Sequence, residues 1–171
     1  MPVLFRQELQ IPLKGKSQRM TIRESVRTGE RVAIFDSKEK GCILHWWITF
    51  GSDIKAVDRD AVHDFWLSFT YDGQTRPAFE MSLGRFFGIL LHRNTHMMES
   101  AAIRIMPKNA FHLYLPIPFE ELTIELEYRG PGKIVVYSMV DWRQYDPDTD
   151  VTPLRLEVIA RDAHPAEGNG S

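Results

Sequence analysis

Apolar and polar residues alternate with a period near two through much of the chain, in short segments bounded by Gly, Pro, Asp or Asn. That is the pattern of half-buried β-strands. From Leu122 to Tyr128, the residues Leu122, Ile124, Leu126 and Tyr128 share one face, and Thr123, Glu125 and Glu127 the other, because successive strand side chains point to opposite sides. The same reading predicts strands at Leu4 to Leu9, Arg19 to Val26, Arg31 to Phe35, Cys42 to Phe50, Phe65 to Tyr71 and Ala78 to Ser82. Further strands are predicted at Ala101 to Met106, Ala110 to Leu115, Ile134 to Trp142 and Leu154 to Ile159. Pro107-Lys108-Asn109, Pro116-Ile117-Pro118 and Arg129-Gly130-Pro131-Gly132 separate the later ones as turns. Asp72-Gly73 predicts a reversal after Tyr71, since Gly73 accepts positive φ at little steric cost. Pro77 suits the first residue of the returning strand because it cannot donate a ladder hydrogen bond. Helical turns are expected only at Val57 to Asp64 and Phe86 to Leu91. Strands of this number and spacing predict an all-β fold, a single jelly-roll β-sandwich of two antiparallel sheets. It is expected to occupy residues 1–160, with 161–171 a disordered polar tail.

Composition narrows the function classes. A chain of 171 residues with 43% hydrophobic residues can bury roughly 70% of its unfolded surface in one domain. A net charge of −2, with 21 basic and 23 acidic residues well mixed, provides no basic stripe for phosphate neutralisation, so nucleic acid is not an expected partner. The run Phe86 to Leu91 falls far short of the roughly 20 apolar residues that span a bilayer, and Met1 to Arg6 lacks the features of a secretory leader. With a single cysteine, Cys42, no internal disulfide framework is possible, and a cytoplasmic location is expected. Cys42 lies in an apolar run with no adjacent base, which marks it as a small buried hydrophobe.

Candidate chemistry is sparse. His92 and His96, with Glu99 three residues on, have the i, i+4 spacing that binds zinc on a helix. Arg93 replaces the acid that follows the first histidine in metalloprotease helices, and a loop is expected after Gly88; no cofactor is expected. Trp46 and Trp47 are adjacent on a strand, so one faces the core and the other the opposite surface. No Gly-rich phosphate loop, Gly-x-Ser-x-Gly elbow or Cys/His relay is present.

Several motifs in order carry a family resemblance. Gly41-Cys42-Ile43-Leu44-His45-Trp46-Trp47-Ile48-Thr49-Phe50 resembles a glycine-led, tryptophan-containing strand of glycoside hydrolase family 172, formerly the domain-of-unknown-function family 2961. Tyr71-Asp72-Gly73 with Pro77, Glu80 and Leu83-Gly84-Arg85-Phe86-Phe87-Gly88 continues the match. Tyr114-Leu115-Pro116-Ile117-Pro118-Phe119 and Val136-Tyr137-Ser138-Met139-Val140-Asp141-Trp142 extend it. The resemblance covers roughly residues 20 to 145 and implies the N-terminal jelly roll of a family whose members usually carry two. It also implies trimers or hexamers, activity on furanosides, and an architecture similar to double jelly-roll capsid proteins. The family's Gly-Thr-Gly-Thr-Glu-Asp element, in its second half, on or after which its catalytic glutamates lie, is not found here, and Arg85 stands where an acid usually precedes the paired phenylalanines.

Within the matched motifs the acids are Asp72, Glu80 and Asp141, the candidates for the carboxyl pair that glycoside hydrolysis requires about 5 to 9 Å apart. Each also has an ordinary reading as a turn former, an outward strand residue or a strand-end partner. The expected function is therefore a non-catalytic, self-assembling, capsid-like protein forming a trimer or larger homo-oligomer. The surface expected to be covered by identical copies comprises Trp46 or Trp47, Phe86, Phe87, Pro116, Pro118 and Phe119, because a lone roll lacks the companion that would cover its flank. The alternatives are a furanoside hydrolase with its site between subunits, or a carbohydrate-binding module.

Overall fold

The computed structural model describes residues 11–12, 14–51, 61–89, 97–106 and 110–159. The predicted strand at Leu4 to Leu9 and the tail from 161 lie outside them. Among the described residues eleven strands are formed: β1 (Lys16–Arg27), β2 (Arg31–Ser37), β3 (Gly41–Gly51), β4 (Phe65–Tyr71), β5 (Phe79–Ser82), β6 (Met98–Glu99), β7 (Ile103–Met106), β8 (Ala110–Leu113), β9 (Ile117–Phe119), β10 (Leu122–Tyr128) and β11 (Lys133–Gln144). They make two antiparallel sheets, as in a jelly-roll sandwich. The larger has the order β1-β11-β3-β8-β7-β6 with β9 also on β3, and the smaller has the order β2-β10-β4-β5.

Alternation dictates how the sheets stack. Leu122, Ile124, Leu126 and Tyr128 of β10 are buried while Thr123, Glu125 and Glu127 are only half so. On β11, Ile134, Val136, Ser138, Val140 and Trp142 point inward. The enclosed core is rich in rings: Trp46 lies 6.5, 5.9 and 5.8 Å from the centroids of Phe69, Phe86 and Phe87, and Phe50 stacks on Phe65 at 4.6 Å. Cys42 is fully buried, and burial pushes its thiol up to about 11, so it behaves as a packing residue and not as a nucleophile. The turn after β4 has positive φ at both Asp72 (53°) and Gly73 (69°), and Gln74 N–H closes it onto the Tyr71 carbonyl at 2.9 Å.

Three expectations need correction. The helical turn expected at Phe86 to Leu91 falls earlier, at Leu83–Phe86, where Ser82 Oγ accepts the Arg85 N–H and Gly88 leaves the turn at φ 73°. The other helical turn, expected at Val57 to Asp64, is present at 61–64, with 57–60 outside the described residues. Pro116 to Phe119 is not a turn: Ile117–Phe119 forms β9, pairing Pro118 with Cys42 of β3. A proline is tolerated there because β9 pairs on one side only, so its missing N–H breaks no second ladder. Leu154 to Ile159 forms no strand. Leu156 and Val158 pack against the core, but the segment is fastened by a side chain, with Arg155 Nε donating to Asp72 Oδ2 at 2.8 Å.

Candidate functional site

The outer face of the large sheet is organised around an irregularity in β3. On one side, Asp141 of β11 faces His45 and Trp142 faces Ile43, which leaves Leu44 without a partner as a bulge. On the other side, β8 pairs with Trp46 to Thr49 and β9 with Gly41 to Ile43, so neither covers Leu44 or His45. A bulge at such a gap re-aims the side chains beside it.

Here the bulge sets the His45 imidazole between two partners from other strands. His45 Nδ1 lies 3.2 Å from Asp141 Oδ2, and His45 Nε2 lies 3.1 Å from His112 Nδ1. Tyr114, just past β8, is fixed by its N–H donating to the Ala102 carbonyl at 2.7 Å. Its ring lies nearly parallel to both imidazoles, with centroids 5.0 Å from His45 and 5.9 Å from His112. Trp47 sits one step along the face, paired with His112 on one side and Met139 on the other.

The electrostatics assign the protons. Arg19 Nε donates to Asp141 Oδ1 at 2.6 Å, and this bond, helped by His45, holds the Asp141 carboxyl below its ordinary range against the opposing effect of burial. A carboxylate can only accept, so in the neutral form of His45 the proton sits on Nδ1 and Nε2 carries the lone pair. His112 Nδ1–H then donates to that lone pair. Burial first, then His45 and Arg104, hold His112 below the usual imidazole value. The result is an Asp141–His45–His112 chain flanked by aromatic rings.

The three candidate acids do not converge. Asp141 belongs to this outer face of the large sheet, whereas Glu80 is on β5 of the small sheet, paired with Arg129 at 3.1 Å. Sheets pack about 10 Å apart, so the two carboxyl groups lie on opposite exteriors of the sandwich. Around Glu80, Arg31, Trp66, Ser68, Glu125 and Glu127 line a shallow depression. The Arg129 guanidinium covers the Trp66 ring at 4.1 Å, and Arg129 and Arg31 both bond Glu127, holding its carboxyl low.

Asp72 is a structural clamp. Its Oδ1 accepts the N–H groups of Glu120 and Glu121 at 3.0 and 3.1 Å, and its Oδ2 accepts Arg155. Burial acts to raise its pKa, but the Arg155 bond and the two N–H donors outweigh it, and the carboxyl is held below its ordinary range. A carboxyl lowered on folding stabilises the protein above its unfolded pKa, near 3.9, and loses that contribution as pH falls through the lower folded value. Asp72→Asn keeps one acceptor oxygen and tolerates the positive φ. It is expected to lower the urea midpoint relative to the native protein at pH 7, with the gap closing towards pH 2 to 3; an equal gap at both pH values contradicts the charge assignment.

The residues expected to meet identical copies divide sharply. Trp46, Phe86, Phe87 and Phe119 are buried inside the sandwich, with Trp46, Phe87 and Phe119 at 0% exposure, and Pro118 is buried as well. The four rings serve the protomer's own core: Trp46 and Phe86 meet Phe69 of the small sheet, Phe119 meets Phe35 of the same sheet, and Phe87 meets Trp46. Trp47 and Pro116 remain half-buried at the surface. His92 and His96 lie outside the described residues; Glu99 is in β6, 3.9 Å from Arg104. Among the described residues no group of three His, Cys, Asp or Glu side chains is placed to hold a metal, and no helix is long and apolar enough to cross a membrane.

Sequence reasoning flagged Asp141 but missed His45 and His112. One signal exists: strand phase puts His45 on the face of Trp47, and His112 on that of Tyr114. Their meeting depends on β3 lying beside β8.

These features define a two-sheet antiparallel β-sandwich protein that displays an aromatic and imidazole-bearing face on its larger sheet. The chain belongs to the GH172 domain-like family, whose model matches residues 16–136, more than half of its length, from the first residue of β1 into β11. No curated protein matches it.

Proposed function

We propose that this GH172 domain-like protein is non-catalytic and self-assembling, and that identical copies bury the outer face of the large sheet in a trimer or a larger closed assembly. The observation that carries the reading is the composition of that face. Leu44, Trp47, Val135, Tyr137 and Met139 are half-buried there, and Tyr114 is 40% exposed. Large apolar groups gathered on one strand face favour a covering layer, at roughly 25 cal/mol per Å² removed from water. Closed rotational symmetry is the usual outcome for identical subunits.

The non-catalytic half of the proposal rests on the acids. A glycosidase needs one carboxyl kept protonated as a donor and a second nearby. Asp72, Asp141 and Glu127 are all displaced the other way, and Glu80 lies across the sandwich from Asp141. Light scattering on the purified protein is expected to give a mass of at least three chains at micromolar concentration; a monomer refutes assembly. Hydrolysis of aryl furanosides that disappears in Glu80→Gln overturns the non-catalytic reading, and a saturable tryptophan fluorescence change with sugars, without turnover, replaces it by a carbohydrate-binding one.

A further inference from the structure

We propose that the His45–His112 pair is an acid-operated latch on the outer face of the large sheet: it closes around one shared proton and parts when a second arrives, which releases the copies assembled there. The release rests on the assembly reading above, and the latch itself rests on geometry. His45 Nε2 and His112 Nδ1 are 3.1 Å apart, with ring centroids 5.4 Å apart and ring planes inclined by 18°. The rings thus lie edge to edge with these two nitrogens facing each other. Such a contact is a hydrogen bond only when one nitrogen carries a proton and the other a lone pair.

Counting protons gives the switch. In the neutral pair, Asp141 accepts the His45 Nδ1–H, and His112 Nδ1–H donates to His45 Nε2. One added proton is accommodated without moving a ring. It enters at His112 Nε2, the Nδ1 proton passes to His45 Nε2, and the charge rests on His45 beside the Asp141 carboxylate, 3.2 Å away. A second proton finds only His112 Nδ1 left to bind. Two N–H groups on two cations then point at each other, and the rings separate.

The neighbours supply charge for one proton and not for two. Among the described residues, the charged and titratable groups around the pair are Asp141 and, two positions on, Arg143 of β11, Arg19 of β1, Arg104 of β7 opposite His112, Glu99 of β6 opposite Arg104, and the Tyr114 hydroxyl beyond β8. Asp141 is already engaged by Arg19 at 2.6 Å. Burial, then His45 and Arg104, hold the His112 imidazole below its ordinary value.

The latch stands inside the surface that copies are proposed to bury. His112 is paired with Trp47 across β3 and β8, and Tyr114 lies nearly parallel to both imidazoles. When a neighbouring copy covers this face, water is not there to hydrate two separated imidazolium rings, so the assembled protein binds fewer protons than the free one. Association is therefore at full strength above the ordinary histidine range, near pH 6.5, and weakens as pH falls through it towards the lower His112 value.

The test is light scattering of the tag-free full chain at about pH 7.5 and about pH 5, on either side of that range, with imidazole ¹⁵N spectra on the same samples. The expected result is an assembly at the higher pH, association weakened by roughly tenfold or more at the lower, and scalar coupling between the two facing nitrogens at the higher pH only. His112→Gln supplies an amide that donates or accepts but never charges, so its assembly is expected to keep its mass at both pH values. Asp141→Asn removes the charge that balances the first proton and is expected to move dissociation to higher pH. A monomer at the higher pH refutes the assembly reading and the release with it. An assembly of equal mass at both pH values overturns this inference alone. So does nitrogen–nitrogen coupling that persists while the mass falls, or a His112→Gln protein that dissociates as the native one does. Where a variant fails to fold by circular dichroism, the coupling in the unaltered protein decides.

Discussion

Replacing Trp46 with alanine is expected to cost about 3 to 5 kcal/mol of unfolding free energy, the range for removing a large buried ring from a packed core. Trp46 is fully buried in β3 and packs between Phe69, Phe86 and Phe87. Those rings come from the small sheet and the turn after it, so a cavity here opens between the layers and cannot close by moving one side chain. A polar loss adds to the apolar one. Trp46 Nε1–H donates to Ser138 Oγ at 2.9 Å, and Ser138 is only 1% exposed, so truncation strands a buried hydroxyl at a cost of about 1 to 3 kcal/mol if water does not enter. Trp46→Phe is expected to fall between the two, restoring much of the volume but not the donor. Urea unfolding measures all three. A loss below about 1 kcal/mol for Trp46→Ala contradicts its placement between the sheets, since losses that small belong to surface positions.

The next residue is expected to behave in the opposite way. Trp47→Thr keeps a β-branched residue on an outward strand position and is expected to change folding stability by about 1 kcal/mol or less. Its effect should appear in assembly. A tryptophan central to an interface commonly contributes 2 kcal/mol or more, so its loss weakens association by roughly thirtyfold or more. The variant is therefore expected to fall towards monomer at micromolar concentration while its urea midpoint stays close to that of the native protein. An assembly of undiminished mass and affinity would move the contact surface away from this face. The two adjacent indoles thus separate folding from association.

Much of the fold was legible because strand alternation is a local property. The limits of β4 and β10 coincide with the predicted Phe65 to Tyr71 and Leu122 to Tyr128, where every second residue is a large apolar one and a turn signal follows. Reading failed where the local signal pointed elsewhere. Pro116 and Pro118 are turn residues by chemistry, yet a strand pairing on one side only accommodates Pro118 within β9. Leu154 to Ile159 alternates as a strand should, yet it is fastened through Arg155 to Asp72 and not through a ladder. Part of the expected interface set is core for a related reason: Phe86, Phe87 and Phe119 are buried between the layers, which no single segment reveals, while Trp47 and Pro116 stay at the surface.

The candidate site shows the same division more sharply. Each of its residues can be assigned a direction from its own strand: Trp47 and His45 outward on β3, Asp141 outward on β11, His112 outward on β8. An all-β sandwich, opposite faces for Trp46 and Trp47, and a largely polar exterior for the small sheet follow from that period-two rule, segment by segment; that Trp46 is the inward one is seen in its burial. Which outward residues become neighbours follows from strand order and register, and these are set by pairings between distant segments. Arg19 meets Asp141 across 122 positions of chain, and His45 meets His112 across 67. The unpartnered Leu44 exists only in relation to β11, and the gap beside it exists only because β8 and β9 share one edge of β3. Alternation can place a side chain on a face, but the packing of separate strands brings a carboxylate and two imidazoles within hydrogen-bonding distance.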